Sequence, residues 1–124
     1  MKTLFIIAIG GGLGSVLRYL TTLLVNKYFE SSFPIATFLT NIFGCLLIGL
    51  FFGVFEKQNT ISQDLKFFLI TGICGGYTTF SAFSLENVQL LQTNQLIIPF
   101  LYMGASVFLG LIAIWCGLFL IRSL

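Results

Sequence analysis

The chain has 124 residues, of which 57% are hydrophobic and 8% charged, with a net charge of +2 and a mean hydropathy of +1.04. That leaves too little polar surface for a soluble domain of this size. Six scattered basic residues make no nucleic-acid-binding patch, and the absence of histidine argues against His-based or metal-dependent catalysis. An integral membrane protein that is not an enzyme is the class that remains.

Four apolar stretches follow in order, Leu4 to Val25, Phe33 to Phe55, Phe67 to Leu91 and Leu96 to Ile121. At ~1.5 Å per residue each is long enough to cross a hydrocarbon core of about 30 Å. The expected architecture is all-α, a single four-helix transmembrane domain over residues 1–124. The first stretch imitates a secretory signal because Lys2 precedes it, but it is too long, contains Arg18 and offers no convincing cleavage site. It is expected to be a retained helix. Gly10, Gly14 and Arg18 recur on it every four residues, a spacing that lets helix backbones approach closely. The run from Gly10 to Ser15 fails as a dinucleotide fingerprint, since Ser15 stands at the third glycine position and no strand precedes it.

Ser31 and Ser32 before Pro34 suit a helix start, and the second stretch carries Thr37, Asn41 and Cys45 on one stripe with Gly49 and Gly53 beyond them. A carboxamide at membrane depth must find partners, so Asn41 is either glue between helices or a pore group. Glu56 to Lys66 is expected to be a polar loop. Cys45, Cys74 and Cys116 match no metal spacing and read as small buried side chains.

The third stretch is the most informative. Gly72-Ile-Cys-Gly75-Gly76-Tyr-Thr78-Thr79-Phe80-Ser81-Ala-Phe83 combines glycines and hydroxyls in a segment apolar enough to span. A helix break is expected near residues 74–79, with Gly75 and Gly76 allowing the turn. Peptide groups bared in lipid cost several kcal/mol each unless protein, water or an ion satisfies them. One end of a break offers carbonyls to a cation and the other offers N–H groups to an anion. On the fourth stretch Pro99 falls in the first turn, and Tyr102, Ser106 and Gly110 lie four apart on one face. With Asn41, Thr78, Thr79 and Ser81, the Tyr102 and Ser106 hydroxyls make a ladder of neutral donors, which suits an anion shedding water. Phe80 and Phe83 are able to add the positive edges of their rings, although packing or lipid contact is the ordinary role of a phenylalanine here.

Three of these motifs together resemble the Fluc (CrcB) fluoride channels: Gly11 to Tyr19 with Gly14 and Arg18, Thr37 to Gly44 with Asn41, and Gly72 to Ser84. The resemblance implies small four-helix subunits in the inner or plasma membrane, paired as antiparallel dual-topology homodimers that pass fluoride passively through two pores. It implies a structural sodium ion at the dimer centre held by the Gly75 and Thr78 backbone carbonyls. It further implies Phe80 and Phe83 in the pore wall, with Asn41, Thr79, Ser81, Tyr102, Ser106 and Glu86 along the fluoride path and Arg18 at a vestibule. Beyond Ser106 the match departs, because Gly110 and Ile114 stand where some relatives carry hydroxyls.

Charge counting is in tension with dual topology. If the helices alternate, Lys2, Lys57, Lys66 and Arg122 share one side, against Lys27 and at most Arg18 on the other. Two rival functions are a proton-coupled exporter of the small multidrug resistance type and a non-transporting assembly subunit. The first, like a fluoride/proton antiporter, needs a proton carrier in the membrane core, where Glu86 is the only acid and lies past the expected break.

Overall fold

The computed structural model describes residues 1–124 and contains helices and no strands. Helix α1 is Lys2–Tyr28 and α2 is Ile35–Lys57. Between them the Ser31 hydroxyl accepts a hydrogen bond from the Phe33 N–H at 3.1 Å, and Pro34 is the cap residue before Ile35. Ser62 caps α3, residues 63–77, by accepting from the Leu65 N–H at 3.3 Å, with Asp64 in the first turn facing the positive helix end. This cap starts the helix before Phe67 and shortens the expected Glu56 to Lys66 loop to residues 58–62. Helix α3 is α-helical at Gln63–Lys66, π-helical at Phe67–Cys74 and α-helical again at Gly75–Tyr77. Helix α4 is Phe80–Leu91, and α5 is Ile97–Ser123 with Pro99 in its first turn, where a missing N–H costs no helical bond.

Four helical segments are long and apolar enough to cross a membrane, Lys2–Tyr28, Ile35–Lys57, Gln63–Leu91 and Ile97–Ser123. They pack mainly as two pairs, α1 along α3 and α2 along α5. Glycines set both contacts. A methyl group at Gly14 would meet the backbone of Ile73 and Tyr77, one at Gly76 would meet Gly11, and Gly10 lies against Gly72. In the other pair Gly49 faces the Ile114 backbone and Gly117 fits against Leu46 and Leu50. Helices thus approach at backbone distance, which supplies dispersion contact where lipid removes the hydrophobic driving force.

The role expected of Gly75 and Gly76 is corrected. No residue has a positive φ, and Gly75 is helical at φ −64 and ψ −36. Both glycines belong to α3, and Gly76 is required by the close passage of α1 rather than by a turn.

Candidate functional site

The third span is non-helical at Thr78, with φ −79 and ψ 156, and at Thr79, with φ −150 and ψ 115. Its peptide groups find partners on three helices. The Thr78 N–H and hydroxyl both donate to the Cys74 carbonyl, at 3.0 and 2.9 Å. From α2, Asn41 Oδ1 accepts from the Thr79 N–H at 2.8 Å while Asn41 Nδ2 donates to the Thr79 carbonyl at 3.1 Å. From α1, Arg18 Nη1 donates to the Thr78 carbonyl at 3.1 Å. The Thr79 hydroxyl caps α4 by accepting from the Ala82 N–H, and it lies 3.2 Å from Ser81 Oγ. One turn from Asn41, Gly44 leaves the space taken by the Thr78 methyl group.

Two cavities meet at Thr79. A cavity of about 260 Å³ is lined by Asn41, Cys45, Thr79, Phe80, Phe83 and Ser106 among others. The Ser106 hydroxyl is buried and has no partner within the chain. A wider recess of about 550 Å³ on the flank of the chain is lined by Ser15, Arg18, Thr79, Ser81 and Glu86 among others. The Phe80 and Phe83 rings are 5.7 Å apart; Phe83 also meets the Tyr102 ring at 5.0 Å, edge on, whereas Phe80 is 78% exposed.

Glu86 anchors a polar network. Thr37 Oγ1 donates to Glu86 Oε1 at 2.5 Å and the Tyr102 hydroxyl donates to Glu86 Oε2 at 2.8 Å. Tyr102 is completely buried and packs edge-on against Phe33. The carboxylate and Thr37 also border a cavity of about 160 Å³ under the α1–α2 connection, with Thr22, Asn26 and Ser31.

The residues singled out from the sequence thus fall into linked groups. Asn41, Thr79, Phe80, Phe83 and Ser106 share one cavity, Arg18, Thr79, Ser81 and Glu86 the other, and Tyr102 joins Phe83 to Glu86 without lining either. Gly75 is in the last turn of α3, and Thr78, just past its end, lines the first cavity as well. Thr37, Ser15 and Cys45 were not singled out as site residues and line these spaces. For Thr37 and Cys45 the available signal was the four-residue spacing on either side of Asn41.

Comparison with known proteins adds the lineage. A family described as CrcB-like protein, Camphor Resistance (CrcB), matches residues 5–118. A protein of Flavobacterium psychrophilum named fluoride-specific ion channel FluC is 71% identical over 124 residues, covering all of both chains. Proteins of the same name from Azobacteroides pseudotrichonymphae and Phocaeicola vulgatus are 43% identical over 117 residues and 42% identical over 120, covering 94% or more of each chain. With a family match over residues 5–118 that runs through all four spans, and 71% full-length identity to a relative, this chain belongs to the CrcB-like family.

Proposed function

We propose that the chain is one subunit of a fluoride-selective channel, a multi-pass protein of the plasma membrane that lets fluoride leave the cytoplasm down its gradient. The observation that carries the reading is the 71% identity, over the full length of both chains, to a relative named fluoride-specific ion channel FluC. The chemistry agrees with it. The space lined by Ser106, Phe80 and Phe83 offers a partnerless buried hydroxyl beside two phenylalanine rings, which are neutral groups able to replace water around a small anion without trapping it. Thr79 and Ser81 carry hydroxyls into the flanking recess, where Arg18 draws anions inward. Glu86, held by Thr37 and Tyr102, keeps those two hydroxyls pointed at itself and fixes the wall behind Phe83.

The finer assembly is part of the same proposal: an antiparallel, dual-topology homodimer with the third helix broken near mid-membrane. The flanking recess carries Ser15, Arg18, Thr79 and Ser81 within spans that otherwise expose mainly large apolar side chains. Polar and charged groups facing lipid are costly, so a second copy is the natural cover. Sodium fits the same region. The Thr78 carbonyl lies outside any helix and already accepts a positively charged donor, as a cation ligand would. Gly75 and Thr78 from each of two copies would hold the ion, and when bound it supplies a fixed positive charge between them.

Reconstitution tests the function. Liposomes loaded with fluoride or chloride, with voltage collapsed by an ionophore, are expected to release fluoride rapidly and chloride negligibly, with no need for a pH gradient. Equal chloride release, or no release at all, overturns the reading.

A further inference from the structure

A helix that reaches residue 77 leaves its last carbonyls without the N–H groups that a further turn would send back. For the Gly75 carbonyl that N–H belongs to Thr79, four residues on. It goes elsewhere: Asn41 Oδ1 takes it at 2.8 Å, and Asn41 Nδ2 returns a hydrogen bond to the Thr79 carbonyl at 3.1 Å. The Thr78 N–H is also occupied, by the Cys74 carbonyl at 3.0 Å. One carboxamide on α2 thereby satisfies both polar groups of the residue at which the third span leaves helical geometry, and it withholds from Gly75 the donor that would close its carbonyl.

Residue type and place fit this task. Only a side chain with an acceptor and a donor on one planar group pairs with the N–H and C=O of a single extended residue. Asparagine also carries them on a short stem that loses little freedom when fixed. Gly44, three residues along the same face, admits the Thr78 side chain and so lets α2 come close enough for the pairing.

We propose that Asn41 is a positioning residue: by capturing the Thr79 peptide groups it holds the span open at Thr78–Thr79 and leaves the Gly75 carbonyl available to a cation. Its acceptor and one of its donors are spent on backbone, so its main action on conduction is through the geometry of the interruption. The inference rests on the cation site proposed above, and the two are separable by experiment.

The test compares wild type, Asn41→Ala and Ser106→Ala as purified, assembled protein. Hydrogen exchange at the Thr79 amide and the melting temperature in sodium chloride against choline chloride at equal ionic strength are measured beside fluoride efflux. In Asn41→Ala the Thr79 amide is expected to exchange at least tenfold faster, and the sodium concentration that gives half of the thermal stabilisation to rise tenfold or more. Ser106→Ala is expected to lower efflux and move neither. If Asn41→Ala does not assemble, Asn41→Thr takes its place with the same expectation, its hydroxyl being too short to span the peptide. Unchanged Thr79 exchange and an unchanged sodium midpoint in the Asn41 variant overturn the proposal, whatever the flux. A wild type whose melting temperature ignores sodium overturns the cation site itself, and the Thr79 exchange still decides the peptide clamp.

Discussion

Phe80 and Phe83 are three residues apart on α4 but stand in different surroundings, and the difference sets what each is expected to do. Phe83 is wedged edge-on against the buried Tyr102 ring, so its position is fixed by packing within one chain. Phe80 is 78% exposed beside the same cavity, where the Phe83 ring at 5.7 Å is its aromatic neighbour. Isoleucine keeps the bulk of either side chain and removes the ring edge. Phe80→Ile and Phe83→Ile are each expected to lower fluoride efflux sharply while dimers persist on crosslinking. Wild-type efflux in both single variants and in the double variant would remove the rings from the mechanism. Behind them, Tyr102→Phe deletes one of the two hydroxyl donors to Glu86. Losing a partner for a part-buried carboxyl group is expected to cost about 1–3 kcal/mol of stability, measurable by unfolding in detergent. Unchanged stability would mean that water or a neighbouring chain replaces the hydroxyl. The position of the phenylalanine pair beside Thr78 and Thr79 was legible because glycines and hydroxyls crowd next to it in sequence. The tie between Tyr102 and Glu86 was not, since it joins two different helices and neither local spacing nor composition reports it.

At the level of elements, the helices were legible in the sequence, and the contacts that shape their joints were not. Spans follow from apolar length alone, and the sequence reading found all four. What it misjudged was why the glycines are there. Gly75 and Gly76 suggested a turn, yet both are helical, and the departure from helix falls after them, where Asn41 on another helix meets Thr79. A residue contributed from a different span leaves no trace in the local pattern. The π-helical stretch Phe67–Cys74 was equally unreadable, because its side chains are those of any apolar helix. Close packing gives a sharper prediction for the glycines. A methyl group at Gly14 would stand 2.8 Å from the Tyr77 backbone nitrogen, whereas one at Gly12 meets nothing. Backbone cannot rotate aside as a side chain can, so Gly14→Ala is expected to destabilise by about 1–3 kcal/mol through overpacking. Gly12→Ala is expected to be near neutral. Thermal unfolding of the two variants in the same detergent checks the contrast, and equal effects would show that α1 and α3 do not meet at this distance in the folded protein.

For the whole molecule the matter to decide is how the proposed second copy would lie in the membrane beside the first. The basic residues assigned to one side gather at one end: Lys2 pairs with Asp64 at 2.7 Å and Arg122 with Glu56 at 2.7 Å. Arg18 does not belong to the opposite end, because its guanidinium is held at the Thr78 carbonyl within the span. Counting basic residues therefore leaves Lys27 alone against four, a lean toward one orientation, and the acidic partners do little to weaken it because the rule is not one of net charge. Against this stands the recess of Ser15, Arg18, Thr79 and Ser81, open on the flank of the single chain, which the proposed second copy would cover. Thr78 lies near the middle of residues 63–91, so a two-fold axis in the membrane plane would bring this stretch against its own copy at matching depth. Such an axis requires opposite orientations. Fusions of a reporter active only outside and of one active only inside, each placed after Leu124, are expected to give comparable signals per molecule of protein. A signal confined to one side would mean that the basic cluster decides insertion, and the recess would then have to be closed by a parallel copy or another chain.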